Sequence, residues 1–357
     1  MRLFPKDRDL SAPAERVELT VRGSDLQLPH EDVHVRLDAF LQHFLHWRSR
    51  TSIQQLIKEG FVSVALAEPG LREARGELVV ERRPGRKLLH GSRVVIEIPE
   101  PLRVQRSVPA ASDLVVLYED GEIVVVDKPP MLPVHPSGRH LSDTLIQRIH
   151  ARYGKDPRRE HRIKLCHRLD RETSGIVVCA RDPATHAAIM SQFENRDVEK
   201  EYHAIVRGVP ESDSGVVDLP IGPARWSEVM LRMTTTPDGL PSRTAWSVLE
   251  RHRGCALVSC RPTTGRQHQI RVHMEAIGHP LVGDKLYGDD ETIFLRAAQG
   301  ELTREDLRAL GMPRQALHNH RIAFRNPRTG ERVEVRSPIP EDMRAYLEAR
   351  GDAERPA

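Results

Sequence analysis

The chain of 357 residues is longer than one typical domain, so a main body of roughly 200 to 250 residues with a smaller companion is expected. Hydrophobic residues make up 39% and charged residues 29%, the balance of a soluble globular protein, and no apolar run approaches the roughly 20 residues of a membrane-spanning helix. A net charge of +3 and a pI near 8.7 permit an RNA partner without requiring one, and four cysteines lacking any CxxC pair exclude a disulfide scaffold.

The opening MRLFPKDRDL has neither the apolar stretch nor the small-residue cleavage site of a secretory signal, which implies a cytoplasmic protein. Residues 1–30 are polar, with Pro5, Pro13 and Pro29, and read as a loosely attached arm or a peripheral strand. From Arg36 the pattern changes. Leu37, Phe40, Leu41, Phe44 and Leu45 recur at helical spacing. A second helix starts near Ser49 as N-cap, turns Ile53, Leu56 and Ile57 inward and stops at Gly60. Its other face carries Arg50, Gln54 and Lys58 four residues apart, a polar, cationic row that alone would be an ordinary solvated face. The succession RLDAFL, SRTSIQQLIKEGFVSV and HGSRVVIEIPEP over residues 36–100 resembles the small ribosomal-protein-type RNA-binding module of two helices on a few short strands. That resemblance implies RNA contacts by Arg36, Arg50 and Lys58 in a module spanning 31–100. The Glu- and Arg-rich stretch from Leu66 to His90 is longer than the connection usual there.

Residues 101–113 read as a linker following Pro99 and Pro101, and the larger domain is expected over 114–345 with a tail to 357. LVVLYEDGEIVVVDKPP predicts two strands around an Asp-Gly turn. GIVVCA, EYHAIVRG, RTAWSVLE and ALVSCRP read as strands, whereas PATHAAIMSQFENR and RQHQIRVHMEAIG read as helices. Strands that outnumber helices, several of them hairpin-linked, give an α+β domain with a mixed, mostly antiparallel sheet.

Between these elements lies KLCHRLDRETSG, a polar loop before an apolar strand, where catalytic groups tend to sit. Asp170 is its acid, although an isolated Asp there is more often a turn cap. HRLDRETSG, residues 167–175, has the HRLDxxTSG pattern, and two further segments follow in order: VEKEYHAIVRG with Lys200 and Tyr202, and RPTTGRQHQIRVHMEAIGHPLVGDKLYG with Arg271. Through these segments, the upstream EDGEIVVVDKPPMLPVHPSG and the downstream QALHNHRIAFRNPRTGERVEVRSPIP, the chain resembles the RluA family of RNA pseudouridine synthases over 114 to about 345. Pro130 and Met131 stand where that family usually has Ala-Gly.

The resemblance implies an isomerase that converts a uridine of structured RNA, ribosomal or transfer, into pseudouridine, acting as a monomer without cofactor or metal. It nominates Asp170 as nucleophile, attacking either the anomeric carbon of the ribose or carbon 6 of the ring. Arg271 would pair with Asp170 and help keep it ionised. Tyr202 would lie against the uracil, stacking or assisting proton removal from carbon 5, and Arg168 would fill the space left by the flipped base. His167 and Lys200 would join Arg168 in base flipping and RNA binding, while Thr264 to Arg266 and His268 would contact RNA or orient the catalytic loop. Around Arg271 the predicted helix has an inward stripe of Ile270, Met274 and Ile277, with Thr264, His268, Arg271 and Glu275 on another face. The spacing of His268, His273 and His279 does not suit a zinc site, and neither GxGxxG nor GxxxxGK[ST] occurs in a strand-to-helix setting. A non-catalytic RNA-binding scaffold and a glycosidase are the competing readings. The second would want two carboxylates flanking the sugar, where the resemblance nominates one.

Overall fold

Two units divide the chain, residues 1–113 with 133–163 and residues 114–132 with 164–357, in a computed structural model that describes residues 16–22, 33–44, 50–68, 74, 76–99, 114–136, 143–154 and 163–351. In the first unit the elements are β1 (Arg16–Thr20), β2 (Val35–Arg36), α1 (Leu37–Phe44), α2 (Arg50–Glu59), β3 (Val62–Ala65), β4 (Val79–Val80), β5 (Lys87–Leu88), β6 (Arg93–Glu97) and α3 (Leu145–Tyr153). An antiparallel sheet runs β1–β6–β3–β4, and β2 pairs with β5. Helices α1 and α2 pack together through the predicted stripes, with Leu37, Phe40, Leu41, Ile53, Leu56 and Ile57 all buried. Gly60 ends α2 in the left-handed region at φ +90°, as the stop signal requires. The proposed N-cap Ser49 and the linker 101–113 lie outside the described residues.

Within residues 1–30 the described stretch, 16–22, holds a peripheral strand. Val17 and Leu19 alternate inward and pair β1 with β6, so the sheet of the first unit begins before residue 31. The 66–90 stretch holds β4 and β5, and Ala67 and Ala74 close a small cluster with Ala65 and Leu78. Residues 133–163 group with the first unit rather than with the larger domain expected over 114–345.

The second unit contains β7 (Val115–Glu119), β8 (Ile123–Lys128), β9 (Lys164–Leu165), β10 (Ser174–Ala180), α4 (Pro183–Asn195), β11 (Glu199–Arg207), β12 (Ser214–Asp218), β13 (Ile221–Pro223), β14 (Met233–Thr235), β15 (Arg243–His252), β16 (Cys255–Pro262), α5 (Gln269–Ala276), α6 (Thr292–Gln299), α7 (Arg304–Leu310), β17 (Leu317–Arg325), β18 (Arg332–Arg336) and α8 (Glu341–Arg350). Its main sheet runs β12–β15–β16–β11–β17–β10–β8–β7, with β18 beside β17 and β9 beside β10. The pairing is antiparallel except where β10 meets β17. This is the mixed, mostly antiparallel α+β sheet that the sequence predicts.

Strand alternation explains how the sheet is covered. Ala256, Val258 and Cys260 of β16 pack with Ile270 and Met274 of α5, while Cys255 and Leu257 turn the other way toward Met343 and Leu347 of α8. Because Met343 and Leu347 are fully buried, α8 belongs to this core and the expected boundary at 345 falls within a helix. The β7–β8 hairpin forms as predicted, with Asp120 Oδ1 accepting from the Glu122 and Ile123 amides. At the β10–β17 junction Gly175 has φ +109°, and a Cβ there would lie 2.3 Å from the Asn319 carbonyl oxygen. Only glycine lets the two backbones approach this closely.

Candidate active site

The loop between β9 and β10 is fastened at both ends before its functional side chains are placed. The Cys166 amide donates to the Val178 carbonyl at 2.9 Å, and His167 Nε2 accepts from the Val178 amide at 3.1 Å. Buried Lys128, at the end of β8, donates to the carbonyls of Pro129, Leu132 and Arg171, at 3.0, 2.9 and 3.1 Å. Glu172 takes both carboxylate bonds from Lys285 at 2.9 Å. Asp170 is therefore held on a loop pinned on either side of it.

Around Asp170 the polar groups converge. Arg271 Nη1 donates to its Oδ2 at 2.9 Å and Gln315 Nε2 at 3.3 Å, and His268 Nε2 stands 3.9 Å away. Arg271 is itself held from behind: its Nε and Nη2 donate to the two oxygens of Asp284 at 2.6 and 2.9 Å, and its guanidinium lies 4.8 Å over the Tyr287 ring. The Asp284 side chain is fully buried and also accepts from the amides of Leu286 and Tyr287, which hold the carboxylate in place while it holds Arg271. Burial pushes the Asp170 carboxyl upward, but the Arg271 charge and the hydrogen bonds outweigh it and hold the pKa below the usual carboxylate value. The carboxylate is ionised at neutral pH, with 29% of its side chain still exposed to the cavity it faces.

That cavity, about 530 Å³, is walled by Tyr202, Ile270, Leu317 and Phe193 and rimmed by Arg168, Arg196, Lys200 and Arg266. Tyr202 is reached from β11, and burial followed by the Asp170 charge raises its phenol above the ordinary range, so it presents a neutral ring rather than a phenolate. Lys200 Nζ donates to the Thr264 carbonyl at 3.3 Å, and burial lowers its pKa to about 8. Thr264, Arg266 and Gln269 close the turn into α5: Gln269 Oε1 accepts from Thr264 Oγ1 at 2.6 Å and from the Arg266 amide at 3.1 Å. His268 enters α5 with φ +57° and bonds the Tyr287 hydroxyl at 2.8 Å through Nδ1. Burial and the Arg271 charge lower its pKa to about 4, leaving it neutral.

An ionised carboxylate facing a base-sized cavity, with an arginine behind it and a tyrosine ring as wall, suits attack on a nucleoside rather than phosphate chemistry. Comparison with known proteins agrees. The sequence profile of the RNA pseudouridylate synthase family matches residues 122–276. A Bacillus subtilis protein named an uncharacterized RNA pseudouridine synthase is 35% identical over 326 residues, covering 91% of this chain and 97% of its own. The ribosomal large subunit pseudouridine synthase D of Nitrosomonas europaea is 32% identical, over 91% and 87% of the two chains. Among solved structures, human RNA pseudouridylate synthase domain containing 4 superposes with a TM-score of 0.53 at 27% identity, over 67% of this chain and 94% of that one. This chain belongs to the RluA family of RNA pseudouridine synthases.

The synthase, an isomerase acting on RNA, brings Asp170, Tyr202, Arg271, Arg168, His167, Lys200, Arg266 and His268 to one cavity, as the sequence motifs imply. His167 lines the cavity as well, and its Nε2 accepts from the Val178 amide while burial lowers its pKa to about 3, so the neutral ring also fastens the loop. Helix α5 has the two expected faces: Ile270, Met274 and Ile277 pack in the core while Thr264, His268 and Arg271 line the cavity, and Gln269 through Met274 are all buried because Arg271 works inside the fold among carboxylates. The three clustered histidines go to separate partners: His268 to Tyr287, His273 to Thr244 and Leu219, His279 to Arg207.

Sequence reasoning missed Asp284, Tyr287 and Gln315 of the synthase. All three lie inside quoted segments, and the spacing GDKLYG, a carboxylate followed three residues later by an aromatic, was the available signal. In the first unit Arg36, Arg50 and Gln54 all bond buried Asp38, at 3.0, 3.1 and 2.8 Å, so the expected row of Arg50, Gln54 and Lys58 is split. Lys58 is exposed on the next turn.

Proposed function

We propose that this pseudouridine synthase isomerises one uridine of a structured RNA, ribosomal in preference to transfer RNA, with Asp170 as nucleophile and Arg168 occupying the place of the flipped base. The observation that carries the reading is the Asp170 carboxylate, held ionised by Arg271 at 2.9 Å while facing a cavity large enough for a nucleoside. Attack by a carboxylate needs the charged form at working pH, and the arginine provides for it without a neighbouring acid or base. The neutral Tyr202 ring offers a wall for the uracil. Arg168, exposed at the rim and two residues before Asp170, has the reach to enter a vacated stack. The half-exposed Arg36 and Arg50 of the first unit, aimed by Asp38, supply phosphate contacts typical of an RNA-binding module. The preference for ribosomal RNA rests on relatives named ribosomal large subunit pseudouridine synthase D, and a cytoplasmic monomer is the form expected to act.

The test is to incubate the purified protein with bulk RNA lacking modification and count pseudouridine formed by wild type and by Asp170→Asn. Product from wild type and none from the variant is expected. Equal product from both would remove Asp170 from the chemistry, and binding without product from any RNA would favour a scaffold.

A further inference from the structure

Between β13 and β14 the chain makes a loop, residues 224–232, whose backbone is rigidly closed. The Ala224 amide donates to the Arg232 carbonyl at 3.0 Å, the Arg232 amide to Val229 at 2.8 Å, and Ser227 Oγ to Glu291 at 2.8 Å. Val229 is buried with Val272, Leu286 and Tyr287, which anchors the loop to the body of the unit. With that anchor in place, the loop still turns Trp226, Met230 and Leu231 outward, exposed by 66%, 96% and 56%. Leu240, 58% exposed, joins them through its bridge to Ile221. A hydrogen-bonded loop that shows water an indole, a methionine and a leucine, with Leu240 exposed on the segment bridged to β13, marks an interaction surface.

The underside of Trp226 is occupied. The Arg232 guanidinium lies 5.0 Å from its ring and 5.2 Å from that of Tyr287, and Arg271 lies 4.8 Å from the other side of the network at Tyr287. Arg232 is pinned by Glu275 at 2.8 Å, by Glu291 at 3.1 Å and by the Leu286 carbonyl. Trp226 is thus the outer layer of a series, Trp226, Arg232, Tyr287, Arg271, that ends on Asp170. The loop meets the turn that carries the rim, since Gln267, the neighbour of rim-forming Arg266, donates to the Leu231 carbonyl at 3.4 Å.

We propose that Trp226, backed by Arg232 and flanked by Met230 and Leu231, is a stacking platform for an unpaired nucleobase of the substrate RNA adjacent to the target uridine. The inference rests on the reading that RNA enters the Asp170 cavity. Continuity with that cavity and the neighbouring cations Arg225 and Arg266 fit a nucleic-acid strand: the cations meet phosphate while the indole meets a base face. A stacking contact of this kind tolerates any base, so it adds affinity and orientation rather than sequence selection.

The test is steady-state and single-turnover kinetics of the full chain on an RNA that the wild type modifies. Trp226→Ala should raise KM roughly tenfold, as loss of one base stack predicts, with the single-turnover rate at saturating RNA changed far less, and Trp226→Phe should restore most of the affinity. Val115→Ala, an apolar truncation on β7 at the other end of the sheet order, is the control for general surface effects. An unchanged KM in Trp226→Ala overturns the platform, as does a concentration-dependent dimer in sedimentation that Trp226→Ala dissolves, which would give the patch to a second copy of the chain. Should the wild type form no pseudouridine, the proposed function fails on its own, and filter binding of the same RNA to wild type and Trp226→Ala still decides the platform.

Discussion

Both units use a buried carboxylate to aim arginines, and they aim them at different things. In the first unit fully buried Asp38 holds Arg36 and Arg50, each still 52% exposed, so the charges are oriented toward solvent. In the second, fully buried Asp284 holds Arg271, only 8% exposed, and the guanidinium points at another carboxylate. The exposed pair suits a polyanion that arrives from outside, where each contact is weak and sensitive to salt. The buried one sets the charge state of a single group. The same device thus leaves a pair of arginines open to solvent in one unit and encloses a single arginine in the other, and the difference lies in how much water each arginine keeps.

The comparison breaks most visibly if Arg271 is lost. Arg271→Met leaves Asp284 buried and unpaired, so urea unfolding should report a loss of about 3–5 kcal/mol. Arg50→Ala should hardly move the urea midpoint, because Asp38 keeps Arg36 and Gln54. Its effect should appear in RNA binding, as a reduction of about one in the slope of log affinity against log salt. Asp284→Asn keeps Arg271 and the shape of the residue behind it but removes the charge that aims the guanidinium. Arg271 is retained but free to drift, and a drift of the order of an ångström should lower the single-turnover rate by roughly 10²-fold with little change in KM.

A smaller effect distinguishes the rim from the floor of the cavity. Lys200 has its pKa lowered by burial to about 8, so its charge is present below that pH and lost as pH rises through it. If it meets phosphate, kcat/KM should decline above pH 8, and Lys200→Arg, charged throughout, should flatten that alkaline limb. The smallest change is expected at Met131, which adopts φ +65° in the turn whose carbonyls hold Lys128. A non-glycine residue is disfavoured there by about 1 kcal/mol, so Met131→Gly should raise the urea midpoint slightly or leave it level. The turn forms despite the exchange of the family's usual Ala-Gly for Pro130 and Met131, because half-exposed Met131 accepts the left-handed backbone.

Much of this was legible in the sequence where a local rule acts alone. The helical stripe of Leu37, Phe40 and Leu41, the stop at Gly60 and the Asp-Gly hairpin each depend on neighbours in the chain, and each is found. The pairing of Asp170 with Arg271 was legible only through family resemblance, since 101 residues separate them and no periodicity connects them. What stayed hidden depends on tertiary contact. Asp284 looks like any loop acid until the fold seats it behind Arg271, and nothing local shows that Asp38, on the preceding helix, bonds Arg50 and Gln54 of the α2 row. Strand β1 stayed one of two readings for a similar reason. Five residues with two inward valine and leucine side chains carry too short a pattern until β6 is there to pair with them.

The central claim is that Arg271, aimed by Asp284, keeps Asp170 ionised in a site whose burial would otherwise protonate it. The most direct measurement is the pH dependence of the single-turnover rate for Arg271→Gln combined with Asp284→Asn, which removes both charges together, so that Asp284 is not left as a buried unpaired charge while Asp170 loses its cation. Wild type should show no acid limb from Asp170 in the range accessible to folded protein, because its pKa is held below the ordinary value. In the double variant the limb should move up by about one pH unit or more as desolvation acts unopposed. A pH profile that superimposes on that of wild type would contradict the account.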